Sequence, residues 1–270
     1  MSQALIRLEY YDCIALITFD RPDKRNAFNL AMWESLEEVT SKLKQKLPRV
    51  VVVTGAGETA FSAGFDVNPE NPQVGNLVQA IQTHDRQPVE ELIKNIRRWT
   101  DGFFSLPVPI IAAINGLAYG GGAEFAMRCD MRVADPNAVI CFSEVKLGLM
   151  PDWGGGAALT RLAGTAAAAD LILTAREIKA DEAHAMGLVN DLSAEGECLE
   201  FAMERAEMIA ANGPLAVRKA LSVIRRTPDL SYIDALDYES EKAADLITSG
   251  ECIQGITAFL KGEKPVFDDV

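Results

Sequence analysis

Two glycine-bearing bends and three carboxylates are the parts of this sequence best suited to chemistry. In FSAGFD, residues 61–66, Gly64 permits an unusual backbone angle or the close approach of a ligand, which leaves the amide of Phe65 free to point at something. In INGLAYGGGAEFAMRCD, residues 114–130, a strand is expected to end near Ile114, and Gly120, Gly121 and Gly122 introduce a helix. Unpaired amides at such a start, with the positive end of the helix dipole, form an anion site. Glu124 follows Gly121 by three residues, about one turn, so its carboxylate shares a face with that site. A close helix-to-strand crossing also needs small residues and would explain the triple glycine equally simply. Glu144 and Asp152, in FSEVKLGLMPDWGGG, are the other two carboxylates.

Competing chemistries lack their residues. GAGETA at 55–60 superficially fits a dinucleotide-binding turn, but FSAGFD follows it with another glycine and no helical period, so a tight turn after a strand is the better reading. There is no H-E-x-x-H, G-x-S-x-G or Walker pattern, and His84 and His184 read as surface or capping groups. Five widely spaced cysteines without a C-x-x-C pair argue against a disulfide framework and a zinc site, and no metal is expected. The formal charge of −13 disfavours nucleic acid as a partner but leaves room for a small anion at a local basic cluster.

The elements that must position these groups alternate in α/β fashion. Residues 4–10 and 13–19 read as a hairpin about Tyr11-Asp12, followed by the basic loop RPDKRNAFN. A helix is expected over 30–47, with Asn29 as N-cap and Phe28 and Trp33 as a hydrophobic staple. Strands are expected at 49–54, within 105–115, and at 131–134, 139–142 and 188–192. The stretch 67–100 is expected to begin as loop (NPENPQVGN) and continue as helix, and to shape a pocket. From about 198 the pattern is helical only, with Gly213 read as a C′ residue, Pro214 as N1, and Ser231 and Gly250 bracketing another helix. The expected division is a core over 1–197 and a helical region over 198–270 that covers the core or makes a subunit interface. With 49% hydrophobic residues but charges breaking each apolar run at the start, neither a signal peptide nor a membrane span is expected there, and the cytoplasm is the expected location.

Taken together and in order, RPDKRNAFN, VVVVTGAGETAFSAGFD, PIIAAINGLAYGGGAEFAMRCDMRVAD, FSEVKLGLMPDWGGGAALTRLAG and AHAMGLVNDL resemble the enoyl-CoA hydratase/isomerase family, the crotonase superfamily. The resemblance spans nearly the whole chain. It implies a spiral of repeated ββα units with C-terminal helices that assemble a homotrimer or a dimer of trimers. It implies an acyl-CoA thioester as substrate, coenzyme A being part of that substrate, no further cofactor, and a place in fatty acid metabolism.

The same resemblance assigns residues. The amides of Phe65 and Gly121 form an oxyanion hole for the thioester oxygen, and Ala63, Gly64, Asp66 and Gly120 line the bound substrate. The turn carrying Lys24, Arg25, Asn26 and Ala27 lies along coenzyme A, and Lys264 reaches it in its own or a neighbouring subunit; solvated loop charges are the plain alternative for Lys24 and Arg25. Glu124 and Glu144 match the catalytic glutamates of hydratases, Glu124 chiefly activating water and Glu144 chiefly moving the α-proton. Typical hydratases carry glycine where this chain has Asp152, which is left as a third acid/base, a nucleophile, or an N-cap for the helix near Gly154. Hydration of a 2-enoyl-CoA is the leading expectation. The alternatives are an isomerase or hydrolase using Asp152, and a non-catalytic acyl-CoA-binding protein.

Overall fold

The computed structural model describes residues 5–268. Ala4 of the expected hairpin and the rest of 1–4, together with 269–270, lie outside the described residues. β1 (Ile6–Tyr11) and β2 (Ile14–Phe19) form an antiparallel hairpin, turned at Asp12 in a left-handed conformation. α1 (Leu30–Gln45) starts where expected: the Asn29 side chain accepts from the Met32 amide at 3.0 Å, and the Phe28 and Trp33 rings pack 4.6 Å apart. Then come β3 (Val50–Gly55) and β4 (Ala60–Ser62), a strand too short for the sequence to announce. α2 (Pro72–Thr83) corrects the expected loop, because Asn71 caps the Gln73 amide and Pro72 takes the first helical position, where it has no hydrogen bond to lose. α3 (Gln87–Phe104) follows as expected.

β5 (Ile110–Ile114) and β6 (Leu117–Tyr119) lead into α4 (Gly121–Arg128), so a second short strand separates Ile114 from the glycines. β7 (Met131–Ala134), β8 (Val139–Cys141), α5 (Gly155–Thr174, broken at Gly164), β9 (Ile178–Lys179), α6 (Ala180–Ala185) and β10 (Asp191–Leu192) complete the core. β10 is shorter than the expected 188–192 because the amides of Leu188 and Val189 bond back to Ala183 rather than to a neighbouring strand. α7 (Cys198–Ala210), α8 (Pro214–Arg226), α9 (Tyr232–Ser249) and α10 (Glu251–Lys261) follow. Gly213 is the N-cap of α8 with φ −58°, not a left-handed C′ residue; a side chain there would strike Glu251, whose carboxylate accepts from the Leu215 and Ala216 amides.

Two sheets organise the core. One has the order β1-β2-β3-β5-β7-β10 and the other β4-β6-β8-β9. The pairs β3/β4, β5/β6 and β7/β8 each give their first strand to one sheet and their second to the other, and successive pairs among these three run parallel. The chain therefore advances as the expected spiral of ββα turns. Phe19, Phe28, Phe61, Phe103 and Phe125 fill the interior, and on the other face of the larger sheet the alanines of α7 (Ala202, Ala206, Ala210) pack on Leu16, Val52 and Ile111.

Candidate active site

The site lies where the bends after β4 and β6 meet. Arg21 organises the first wall: its guanidinium donates to the Ala27 carbonyl (2.5 Å) and pairs with Asp66 (3.0 Å). Arg25 and Asn26 are both left-handed, which aims the wholly buried Asn26 side chain to accept from the Arg21 amide and donate to the Ala56 and Ala60 carbonyls. Residues 25–28 then pair with 63–66. The Ala63 amide donates to Arg25, the Phe28 amide to Gly64, and the Asp66 amide to Phe28. In this parallel bridge Phe28 occupies the carbonyl of Gly64 and the amide of Asp66, so the amide of Phe65 faces the opposite way, toward α4.

There it meets the start of α4. Gly64, at φ +81°, comes so close that a Cβ on it would stand 2.6 Å from the Gly121 nitrogen. A Cβ on Gly122 would overlap the Ser62 carbonyl. Gly121 is the first helical residue, whose amide has no acceptor within the helix. A Cβ on its own α-carbon would enter the Trp153 ring, which is buried against Phe28 and Trp33. Glycine at 64, 121 and 122 is thus a packing requirement that brings two backbone donors, Phe65 and Gly121, to one place.

Glu124 lies one turn along α4, almost fully buried, and serves as an acceptor for three amides. Asp152 donates to one oxygen at 3.1 Å; Trp153 and Gly155 donate to the other at 2.9 and 2.8 Å. The Glu124 side chain, rather than Asp152, therefore caps α5; the cap residue is Gly154, which makes no side-chain bond, so the N-cap reading of Asp152 is overturned. Glu144, from the 3-10 turn Glu144–Leu147, places Oε1 3.5 Å from where a Cβ of Gly120 would be. It is 9% exposed and neither oxygen has a hydrogen-bond partner, while the Glu124 carboxyl is close enough to influence its ionisation.

Burial is the first cause raising the pKa of all three acids, Glu124, Glu144 and Asp152; the Glu144 and Asp152 charges raise Glu124 further, against the pull of the Gly155 and Asp152 amides. Asp152 as a whole is exposed, but its carboxyl is crowded enough by protein atoms for desolvation to act, and its charge reaches both glutamates. In the singly ionised pair, three amide donors favour the charge on Glu124 and leave the proton on Glu144.

The structure thus brings together Phe65, Gly120, Gly121, Glu124, Glu144 and Asp152, with Ala63 and Gly64 in the adjoining bend. Buried Ala27 and exposed Lys24 and Arg25 stand in the loop paired to that bend. Asp66 has both oxygens engaged, by Arg21 and the Asn68 amide, and holds the wall together. Lys264 is not brought to the site of its own chain: the segment around it docks through the Phe267 carbonyl on Arg49, at the opening end of β3, whereas the site follows the closing ends of the strands. Arg21, Asn26 and Trp153 were missed as site builders. Arg21 was visible only as a member of a basic loop, Asn26 only as part of the turn expected along coenzyme A, and Trp153 only as a neighbour of Asp152.

An α/β spiral whose bends converge on a pair of buried carboxyls defines a class, and the chain belongs to it: the enoyl-CoA hydratase/isomerase family, whose sequence profile matches residues 9–270. The chain is 34% identical to a short-chain-enoyl-CoA hydratase of Clostridium acetobutylicum over 95% of both chains. It is 31% identical to a crotonyl-CoA hydratase of Syntrophomonas wolfei over 99% of both. The crystal structure of an enoyl-CoA hydratase from Bacillus anthracis superimposes with a TM-score of 0.88 at 33% identity, covering 97% of this chain and 98% of that one.

Proposed function

We propose that the protein is an enoyl-CoA hydratase that adds water across the double bond of a 2-enoyl-CoA thioester. The observation that carries this reading is the pair of buried carboxyls, Glu124 and Glu144, whose ionisations are linked, beside two converging backbone amides. Bound at the Phe65 and Gly121 amides, the thioester oxygen takes up negative charge as water attacks Cβ; each such donor is worth roughly 3 to 4 kcal/mol in other oxyanion holes. Ionised Glu124 takes the proton of the attacking water, and protonated Glu144 delivers its proton to Cα. The sum is one water added. Exchange of the proton between the neighbouring carboxyls restores the starting state. Only thioester and water are consumed, so coenzyme A enters as part of the substrate and no redox cofactor is called for.

The supporting experiment follows loss of the conjugated-thioester absorbance with a short and a long 2-enoyl-CoA. Glu124→Gln and Glu144→Gln are each expected to lose activity by about 10² to 10⁴, while still binding acyl-CoA. Near-normal hydration by either variant would defeat the proposal. A second reading, double-bond isomerisation or thioester hydrolysis, is favoured by the Asp152 carboxyl, whose charge acts on both glutamates. Asp152→Asn compared with wild type on 2-enoyl-, 3-enoyl- and ring-containing acyl-CoAs separates the two, and binding without turnover across the set would favour a binding protein. A cytoplasmic homotrimer or dimer of trimers, with Lys264 serving a neighbouring subunit's coenzyme A site, completes the proposal.

A further inference from the structure

One half-buried cation beside the site has no part in the chemistry above. Arg128 ends α4, one turn beyond Glu124, so the two side chains lie on the same helix face. Both reach the same loop. Glu124 accepts the amides of Asp152, Trp153 and Gly155, while one Arg128 nitrogen donates to the Trp153 carbonyl at 2.6 Å. The turn 152–155 is thus held by its N–H groups from one end of the helix face and by its C=O from the other.

The guanidinium is itself fixed from α3. It donates to the Thr100 hydroxyl (2.9 Å) and to Asp101 (2.5 Å) and lies over the Phe104 ring at 4.4 Å. Gly154, left-handed at φ +95°, fits against it so closely that a Cβ there would stand 3.3 Å from its carbons. With the Arg128 side chain 16% exposed, water does little to compete for these bonds. A lysine has the charge but not the planar fork that reaches Thr100, Asp101 and Trp153 together.

We propose that Arg128 is a positioning residue for the reaction: by gripping the Trp153 carbonyl it aims the amides of 152–155 at Glu124 and sets both the orientation and the ionisation of that carboxylate. This role rests on the reading of Glu124 as the group that activates water. It also makes α3 a mechanical neighbour of the reacting carboxylate, through Asp101 and Thr100.

The test compares wild type with Arg128→Met and Arg128→Lys in two readouts: hydration of a short 2-enoyl-CoA across pH, and titration of the Glu124 carboxyl by ¹³C NMR in glutamate-labelled protein, assigned with Glu124→Gln. In Arg128→Met, kcat is expected to fall about 10- to 100-fold, by analogy with the loss of outer groups that orient a reacting one, with KM within about threefold. The Glu124 titration is expected to move to higher pH as amide donors are lost, and Arg128→Lys to fall between. Combining Arg128→Met with Glu124→Gln is expected to cost no more than Glu124→Gln alone. Lower thermal stability with an unchanged Glu124 titration would reduce Arg128 to a structural prop and overturn the proposal; so would unchanged kcat. If wild type hydrates no enoyl-CoA, the hydratase reading fails and the carboxyl titration still judges Arg128. Should Arg128→Met not fold, Arg128→Lys is read in the same two ways.

Discussion

A carboxyl more than nine-tenths buried with no well-placed donor, as Glu144 is, exists comfortably only with a proton on it or a substrate before it. This has a consequence for stability. Because burial raises the folded pKa of Glu144 above the ordinary 4.5, the native state keeps a proton that the unfolded chain has lost, and stability contributed by this site declines as pH rises from that value through the folded pKa. Glu144→Gln, permanently neutral, is therefore expected to melt a few degrees above wild type at pH 8.5, the gap closing toward pH 4.5, as measured by calorimetry. On the proposed mechanism the same proton is expected to set an alkaline limb on kcat, since an ionised Glu144 would have nothing to give Cα. Any residual activity of Glu144→Gln should lack that limb.

Among the elements, the loop from Arg21 to Asn29 depends most on one side chain. Asn26 closes it on itself with one hydrogen bond from the Arg21 amide and to the turn after β3 and to β4 with two more, from a left-handed backbone that asparagine tolerates better than most residues. Asn26→Ala strands buried carbonyls and is expected to destabilise the fold by about 3 kcal/mol in urea titrations, and to weaken acyl-CoA binding with it. What the sequence discloses at this scale follows the range of the forces. α1 was legible because its cap and staple, Asn29, Phe28 and Trp33, are neighbours along the chain. β4 and β6 were not, since three residues carry no period and their partners come from distant turns of the spiral. α2 was hidden by an Asn-Pro pair that reads as a loop and serves as a helix start. The two glutamates could be assigned only through resemblance: no spacing in the chain says that positions 124 and 144 touch, or that Glu124 would accept amides from 152 to 155.

In the molecule as a whole, α7 and the three helices after it behave differently. α7 buries its alanines against the larger sheet and belongs to the core despite lying beyond residue 197. α9 and α10 instead leave Tyr232, Ile233, Ile253, Phe259 and Leu260 mostly exposed, apolar area that an isolated chain would pay for in solubility. The homotrimer proposed above would cover it. Phe259→Glu with Leu260→Glu is expected to shift the protein to a lower oligomeric state by light scattering; an unchanged mass would place the subunit contacts elsewhere.

The seam between residues 62–64 and 120–122 is largely main chain against main chain, with the buried Ser62 hydroxyl fixed between the Asn26 carbonyl and the Gly64 amide. Nothing in it ionises within the physiological range or oxidises. If this seam holds the substrate carbonyl as proposed, acidity of the medium and redox stress would alter how fast the catalyst turns over without loosening that hold, and variation in acyl preference would be written in the residues around it.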